Sequence, residues 1–157
     1  MRDLTLNLVD FLPQAAIQPD LKSQTKKEVL KELVQELALA HGIKDPLNIL
    51  KALLEREDLG STGIGQGIAI PHGKSNSVSG VAAALGISKR GIDFDALDGE
   101  PVYIFFMLIA PANSNGIHLK ILAKISRLLK DKFFRQALRE AKTSQEALKL
   151  IKDENEY

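Results

Sequence analysis

The run Val102-Tyr-Ile-Phe-Phe-Met-Leu-Ile-Ala110, closed at both ends by Pro101 and Pro111, constrains the fold more than any other stretch of the chain. It is rich in aromatic and β-branched residues and apolar on both alternating faces. That pattern suits a central strand covered on both sides rather than a strand with one wet face. As a helix it falls far short of the roughly 20 residues needed to span a membrane. A strand of this kind needs sheet neighbours and a layer above and below it.

The rest of the chain supplies them. Val81, Ala83, Leu85 and Ile87 alternate with Ala82, Ala84, Gly86 and Ser88, which predicts a second strand with one bulky and one small face. Lys89-Arg-Gly91 and Asp98-Gly99 read as turns, residues 68–71 as an extended piece ending at Pro71, and residues 4–8 as a short strand. Helical periodicity follows the capping box Thr25-Lys-Lys-Glu28, with Val29, Leu30, Leu33, Val34, Leu37 and Ala38 inward and Gly42 as the stop. Asp45-Pro46 provides an N-cap acceptor and a first-turn proline for a second helix, with Leu47, Leu50, Leu53 and Leu54 inward. From Gly116 to the end the pattern is helical: Ile121, Leu122, Ile125, Leu128 and Leu129 form one stripe. Phe133, Phe134 and Leu138 follow, and Thr143-Ser-Gln-Glu146 is another capping box. Strands and helices in this order predict a layered α/β domain, with residues 1–157 taken as one unit.

Composition narrows the function classes. Lys plus Arg is 21 against 20 for Asp plus Glu, a net charge of +1, which removes the usual electrostatic reason to expect nucleic acid or an anionic membrane as partner. Cysteine is absent, so disulfides, cysteine-ligated metals and thiol nucleophiles are excluded. No apolar stretch of signal-peptide length opens the sequence, and the expected location is the cytoplasm. The reactive groups of most interest are three histidines: His41, His72 and His118.

The glycine-rich segment 60–67 invites nucleotide readings that fail on spacing. Five residues separate Gly67 from Gly73, where a phosphate-binding P-loop has four, and Gly63-Ile-Gly65 meets Ile68 where a dinucleotide turn needs glycine. Neither has a hydrophobic feeding strand before it. The histidines lack the spacing of a metal site. His41 closes a helix, where a cation simply complements the dipole. His72 stands between Pro71 and Gly73, at a strand end beside a glycine loop, where catalytic groups and idle turn histidines are both common. His118 aligns with Ile121, Leu122 and Ile125, as a core histidine would, yet it sits in a first helical turn that favours an anion.

Residues 56–73, Arg-Glu-Asp-Leu-Gly-Ser-Thr-Gly-Ile-Gly-Gln-Gly-Ile-Ala-Ile-Pro-His-Gly, resemble the signature of the IIA component of the fructose/mannitol class of the bacterial phosphoenolpyruvate:sugar phosphotransferase system. The likeness continues through residues 91–102, the strand ending at Pro111, and His118-Leu-Lys-Ile-Leu-Ala-Lys. It covers essentially the whole chain. The resemblance implies a mixed β-sheet flanked by helices on both faces, a three-layer sandwich of the mannitol-type IIA kind. It further implies a phosphoryl relay, in which His72 takes a phosphoryl group from phospho-HPr and passes it to a IIB domain, with His118 and Arg56 lining the site. Ser61, Thr62 and the backbone at Gly63 would add hydrogen bonds to the phosphate; no cofactor or metal is implied. Without the resemblance, Arg56 reads as part of a solvated charged run, and Gln66 and Lys74 receive no role.

Histidine suits this task. Its neutral ring offers a lone pair to phosphorus, with an ordinary pKa of about 6.5, and the P–N bond formed is labile enough to be handed on. The protein then has to position the group and offset charge on its equatorial oxygens. The likeness spans two functions: a standalone carrier for hexose or hexitol uptake, favoured by residues 91–111, and a nitrogen-related regulatory branch in which the phosphorylation state selects binding partners.

Overall fold

The computed structural model describes residues 7–114 and 116–155. Its centre is the apolar run itself, strand β6 (Val102–Ala110), buried at every position but Tyr103. On one side β6 pairs antiparallel with β5 (Ala82–Ile92). On its other side two short strands lie in succession and parallel to it. These are β3 (Ile68–Ala69) against residues 104 and 105, and β4 (His72–Lys74) against Leu108, Ile109 and Ala110. Strand β1 (Ile17–Gln18) pairs parallel with β5, and β2 (Gly63–Gly65) pairs antiparallel with β3, giving a mixed sheet.

The small face of β5 has a direct explanation. Helices α1 (Lys26–His41) and α2 (Pro46–Asp58) pack on one side of the sheet. A Cβ on Gly86 would lie 2.7–2.9 Å from side-chain methyls of Leu33 and Leu21, so the helix approaches closely because the strand offers so little side chain. Residues Leu85, Ile87, Ile104, Phe106 and Leu108 face the other side by register. There α3 (Ile117–Leu128) and α4 (Lys132–Glu140) cover them, and α5 (Ser144–Asn155) completes the element order. The fold is thus the expected α/β sandwich, with helices on both faces. Phe94, Phe105 and Phe106 are the largest fully buried side chains, and Phe94 meets Phe105 edge-on, with ring centroids 5.3 Å apart.

Both capping boxes form. Thr25 Oγ1 accepts from the Glu28 N–H at 3.2 Å, and Thr143 Oγ1 from the Glu146 N–H at 3.1 Å. The two glutamates reach one residue past the cap, to the N–H groups of Gln24 and Lys142. Gly42 ends α1 in the left-handed region, φ 68°.

Four local expectations need correction. The strand placed at residues 4–8 lies mostly outside the described residues, and Leu8 belongs to a 3₁₀ turn, Leu8–Asp10. Leu47 is 75% exposed, because the buried stripe of α2 runs Ile49, Leu53, Glu57 and Leu47 sits about 200° from Ile49. Asp45 occupies the cap position, but its side chain makes no cap hydrogen bond. Residues 89–91 are a bulge rather than a turn: Ser88 Oγ accepts from the Gly91 N–H at 3.0 Å, and the strand resumes with Ile92 opposite Val102. The glycine-rich segment becomes the β2–β3 hairpin. Its two-residue loop, Gln66 and Gly67, has φ of 58° and 78°, as a type I′ turn requires.

Candidate functional site

Strand β4 places His72 by three attachments. Its backbone pairs with β6, Gly73 faces Ala52 of α2 with a hypothetical Cβ at 3.6 Å, and the buried Ser75 just beyond it donates to Asn48 Oδ1 at 3.1 Å. Alternation along the strand then turns His72 and Lys74 to the opposite face from Gly73, beside Leu108 and Ala110. The His72 ring is itself fixed. Its Nδ1 lies 2.8 Å from the Ile70 carbonyl oxygen, which can only accept, so Nδ1 carries the proton and Nε2 holds the lone pair.

A cleft of about 390 Å³ opens at this edge of the sheet. It is lined by His72 and Lys74 from β4, Arg56 and Glu55 from α2, and His118 and Leu122 from α3. Arg56 stands one turn beyond Ala52, and one of its guanidinium nitrogens donates to the Gly60 carbonyl at 2.8 Å, folding the side chain back over the helix end. His118, in the first turn of α3, is half-buried, and its Nδ1 is buried with no hydrogen-bond partner among the described residues. His41 is elsewhere: its Nε2–H donates to the Ala83 carbonyl at 3.0 Å, tying the end of α1 to β5.

The structure brings His72, His118 and Arg56 together, whereas Ser61, Thr62 and Gly63 lie outside this cleft. Their polar groups serve the loop instead. Ser61 Oγ donates to the Phe94 carbonyl at 2.8 Å and accepts from the Gly63 N–H at 3.0 Å. Both the N–H and the hydroxyl of Thr62 donate to the Glu57 carboxylate. At Gly63 a Cβ would lie 2.9 Å from that of Ala96.

Two residues escaped the sequence reading. Glu57 is a buried carboxylate that holds Thr62 and pairs with Lys26 at 3.1 Å, while Lys26 also caps the Phe94 ring at 4.8 Å. Its signal was present, since Glu57 continues the Ile49, Leu53 spacing onto the apolar face of α2. Lys74 was legible in the same way, two residues from His72 in an extended segment.

A histidine with a free Nε2, a second histidine and an arginine are thus set around one cleft after a glycine hairpin. The family model for the phosphoenolpyruvate-dependent sugar phosphotransferase system, EIIA 2, matches residues 10–154. The chain belongs to this family. It is 37% identical over 146 residues to the fructose-specific EIIABC component of Bacillus subtilis (strain 168), covering 93% of this chain but 23% of that protein. It is 32% identical to the crystal structure of the nitrogen regulatory protein IIA-Ntr from Neisseria meningitidis, with a TM-score of 0.84 over 92% of this chain and 98% of that one. The complex of mannitol enzyme IIA and phosphorylated mannitol enzyme IIB from Escherichia coli shares the fold at 22% identity. Its TM-score is 0.75, over 87% of this chain and 94% of that one.

Within this EIIA 2 cleft His118 is held below the ordinary histidine pKa, first by burial and then by the charges of Lys74 and His72. The folded state therefore binds fewer protons than the unfolded state as pH drops below the ordinary value. Stability contributed by neutral His118 is complete above that value and is lost as pH falls towards the lower folded one. Urea midpoints for wild type and His118→Gln between pH 7.5 and 5 will read this. The wild type is expected to lose more stability on acidification, and parallel profiles would assign the acid sensitivity to other groups.

Proposed function

We propose that this chain is a phosphocarrier: His72 accepts a phosphoryl group from phospho-HPr and passes it to a IIB domain for sugar uptake and phosphorylation. The observation that carries the reading is the hydrogen bond from His72 Nδ1–H to the Ile70 carbonyl at 2.8 Å, which leaves the Nε2 lone pair for phosphorus. The Nε2–P bond forms as the bond from phosphorus to the donor breaks, and that electron pair leaves with the donor. Nδ1 keeps its proton throughout, so the ring becomes cationic beside the dianionic phosphoryl group. Transfer onward reverses these steps with the acceptor's nucleophile. Arg56, anchored at one nitrogen, offers a charge-assisted donor for the equatorial oxygens. His118, neutral at cytoplasmic pH, offers a hydrogen bond without adding to the charge.

Family membership supports this reading, and the fructose-specific relative favours the sugar branch. A regulatory role, with the phosphorylation state of His72 selecting target proteins, is the second reading. It is favoured by the likeness to IIA-Ntr along nearly that protein's whole length. A relay assay with labelled phospho-HPr and a panel of purified IIB domains separates the two. Passage of label from this chain to one IIB domain is the expected result and narrows the sugar. Label accepted from phospho-HPr but retained against every IIB domain would move the assignment to regulation.

A further inference from the structure

We propose that Lys74 is a phosphoryl-positioning residue of the His72 cleft, a mobile cation that holds the transferred group from the strand side while Arg56 holds it from α2. The proposal rests on the reading of His72 as phosphoacceptor and assigns a role that the sequence pattern left empty.

Four observations carry it. Lys74 and His72 alternate with Gly73 on β4 and so share a face, opposite Ala110 and Leu108, and all four line the same cleft. Lys74 is exposed, and no carboxylate among the described residues lies within ion-pair distance of it, although Glu55 lines the same cleft. Lys26, by contrast, is committed to Glu57. Arg56 already spends one guanidinium nitrogen on Gly60, so it brings only part of its donor set to an incoming dianion. Finally, the charge of Lys74 is felt at His118 across the cleft.

The residue type fits the task. An ammonium on a flexible stem presents three rotatable donors and a compact charge, which can follow a group moving from donor to acceptor. A guanidinium fixed to a backbone carbonyl is better suited to a stationary contact.

The test uses phosphoramidate, a small donor that removes partner docking from the comparison. His72 Nε2 forms a bond to phosphorus, the phosphoramidate P–N bond breaks, and ammonia leaves with the electron pair. Phosphohistidine formation is followed by ³¹P NMR in wild type, Lys74→Met and Lys74→Arg, and the His118 ring is titrated by NMR in the same samples. Lys74→Met is expected to label about tenfold to a hundredfold more slowly, as for loss of one charge-assisted contact to developing charge. Lys74→Arg should restore most of the rate. The His118 pKa should move up in Lys74→Met, because one cause of its depression is gone, and stay lower in Lys74→Arg. Labelling of Lys74→Met at the wild-type rate would overturn the proposal. Absence of label on wild-type His72 would overturn the underlying phosphoacceptor reading instead, so the two failures are distinct.

Discussion

His72→Ala is expected to take no phosphoryl label from phospho-HPr while remaining folded. The side chain is half-buried and its one hydrogen bond among the described residues is to Ile70, so its removal leaves the β4–β6 pairing and the Ser75–Asn48 contact in place. The cost in stability should stay within about 1–2 kcal/mol, the scale of one hydrogen bond plus a modest loss of contact. The loss of acceptor function should be complete, because no other group in the cleft combines a fixed tautomer with an exposed nucleophilic nitrogen. His118 is the nearest alternative, and its Nδ1 is buried without a partner. Circular dichroism and urea unfolding establish that the variant is folded, and acid-labile label counted on the intact protein gives the transfer. A persistent acid-labile label on His72→Ala would reassign the acceptor, with His118 the first residue to examine.

What the sequence made legible divides along physical lines. The central strand and the capping boxes rest on local patterns of a few residues, and those patterns survive folding intact, whereas the meeting of His72 and His118 in one cleft was implied only by the family resemblance. The bulge at residues 88–91 did not announce itself, because Lys89-Arg-Gly91 has the composition of a turn, and only pairing of Ile92 with Val102 shows that the strand continues. Leu47 misled for a related reason: it fits an apolar spacing, but the helix is rotated so that Ile49, Leu53 and Glu57 face inward. Ser61 and Thr62 were expected to hold phosphate because they flank a glycine loop. Whether a hydroxyl points into a cleft or back into its own loop depends on partners such as Phe94 and Glu57, which lie on other elements. Lys74 and Glu57 are the instructive pair. Both followed a periodicity already in use, and both were passed over because a charged residue is read as solvated unless a motif claims it.

Glu57→Ala is expected to cost about 2–4 kcal/mol of stability, the largest loss foreseen for any residue flanking the site. Glu57 is 8% exposed, and its carboxylate accepts from the Thr62 N–H and hydroxyl as well as the Lys26 ammonium. Truncation strands the two Thr62 donors and leaves a partly buried cation without its short contact. Lys26 retains Asp95 at 3.6 Å, and Asp95 is exposed, so the loss falls below that for a fully enclosed pair. Urea unfolding measures the effect, and a change below about 0.5 kcal/mol would show the network to be incidental. Lys26→Met combined with Glu57→Met tests the cause. If the single loss comes from stranded charge, the double variant should be less destabilised than the sum of the two singles, because neither charge is then left alone. The consequence reaches the chemistry. Glu57 joins the last turn of α2, which carries Arg56, to the hairpin that leads through Ile70 to His72. Glu57→Ala protein that remains folded should therefore label more slowly than wild type, yet keep His72 as its acceptor. That combination distinguishes a residue that holds the cleft in shape from one that reacts in it.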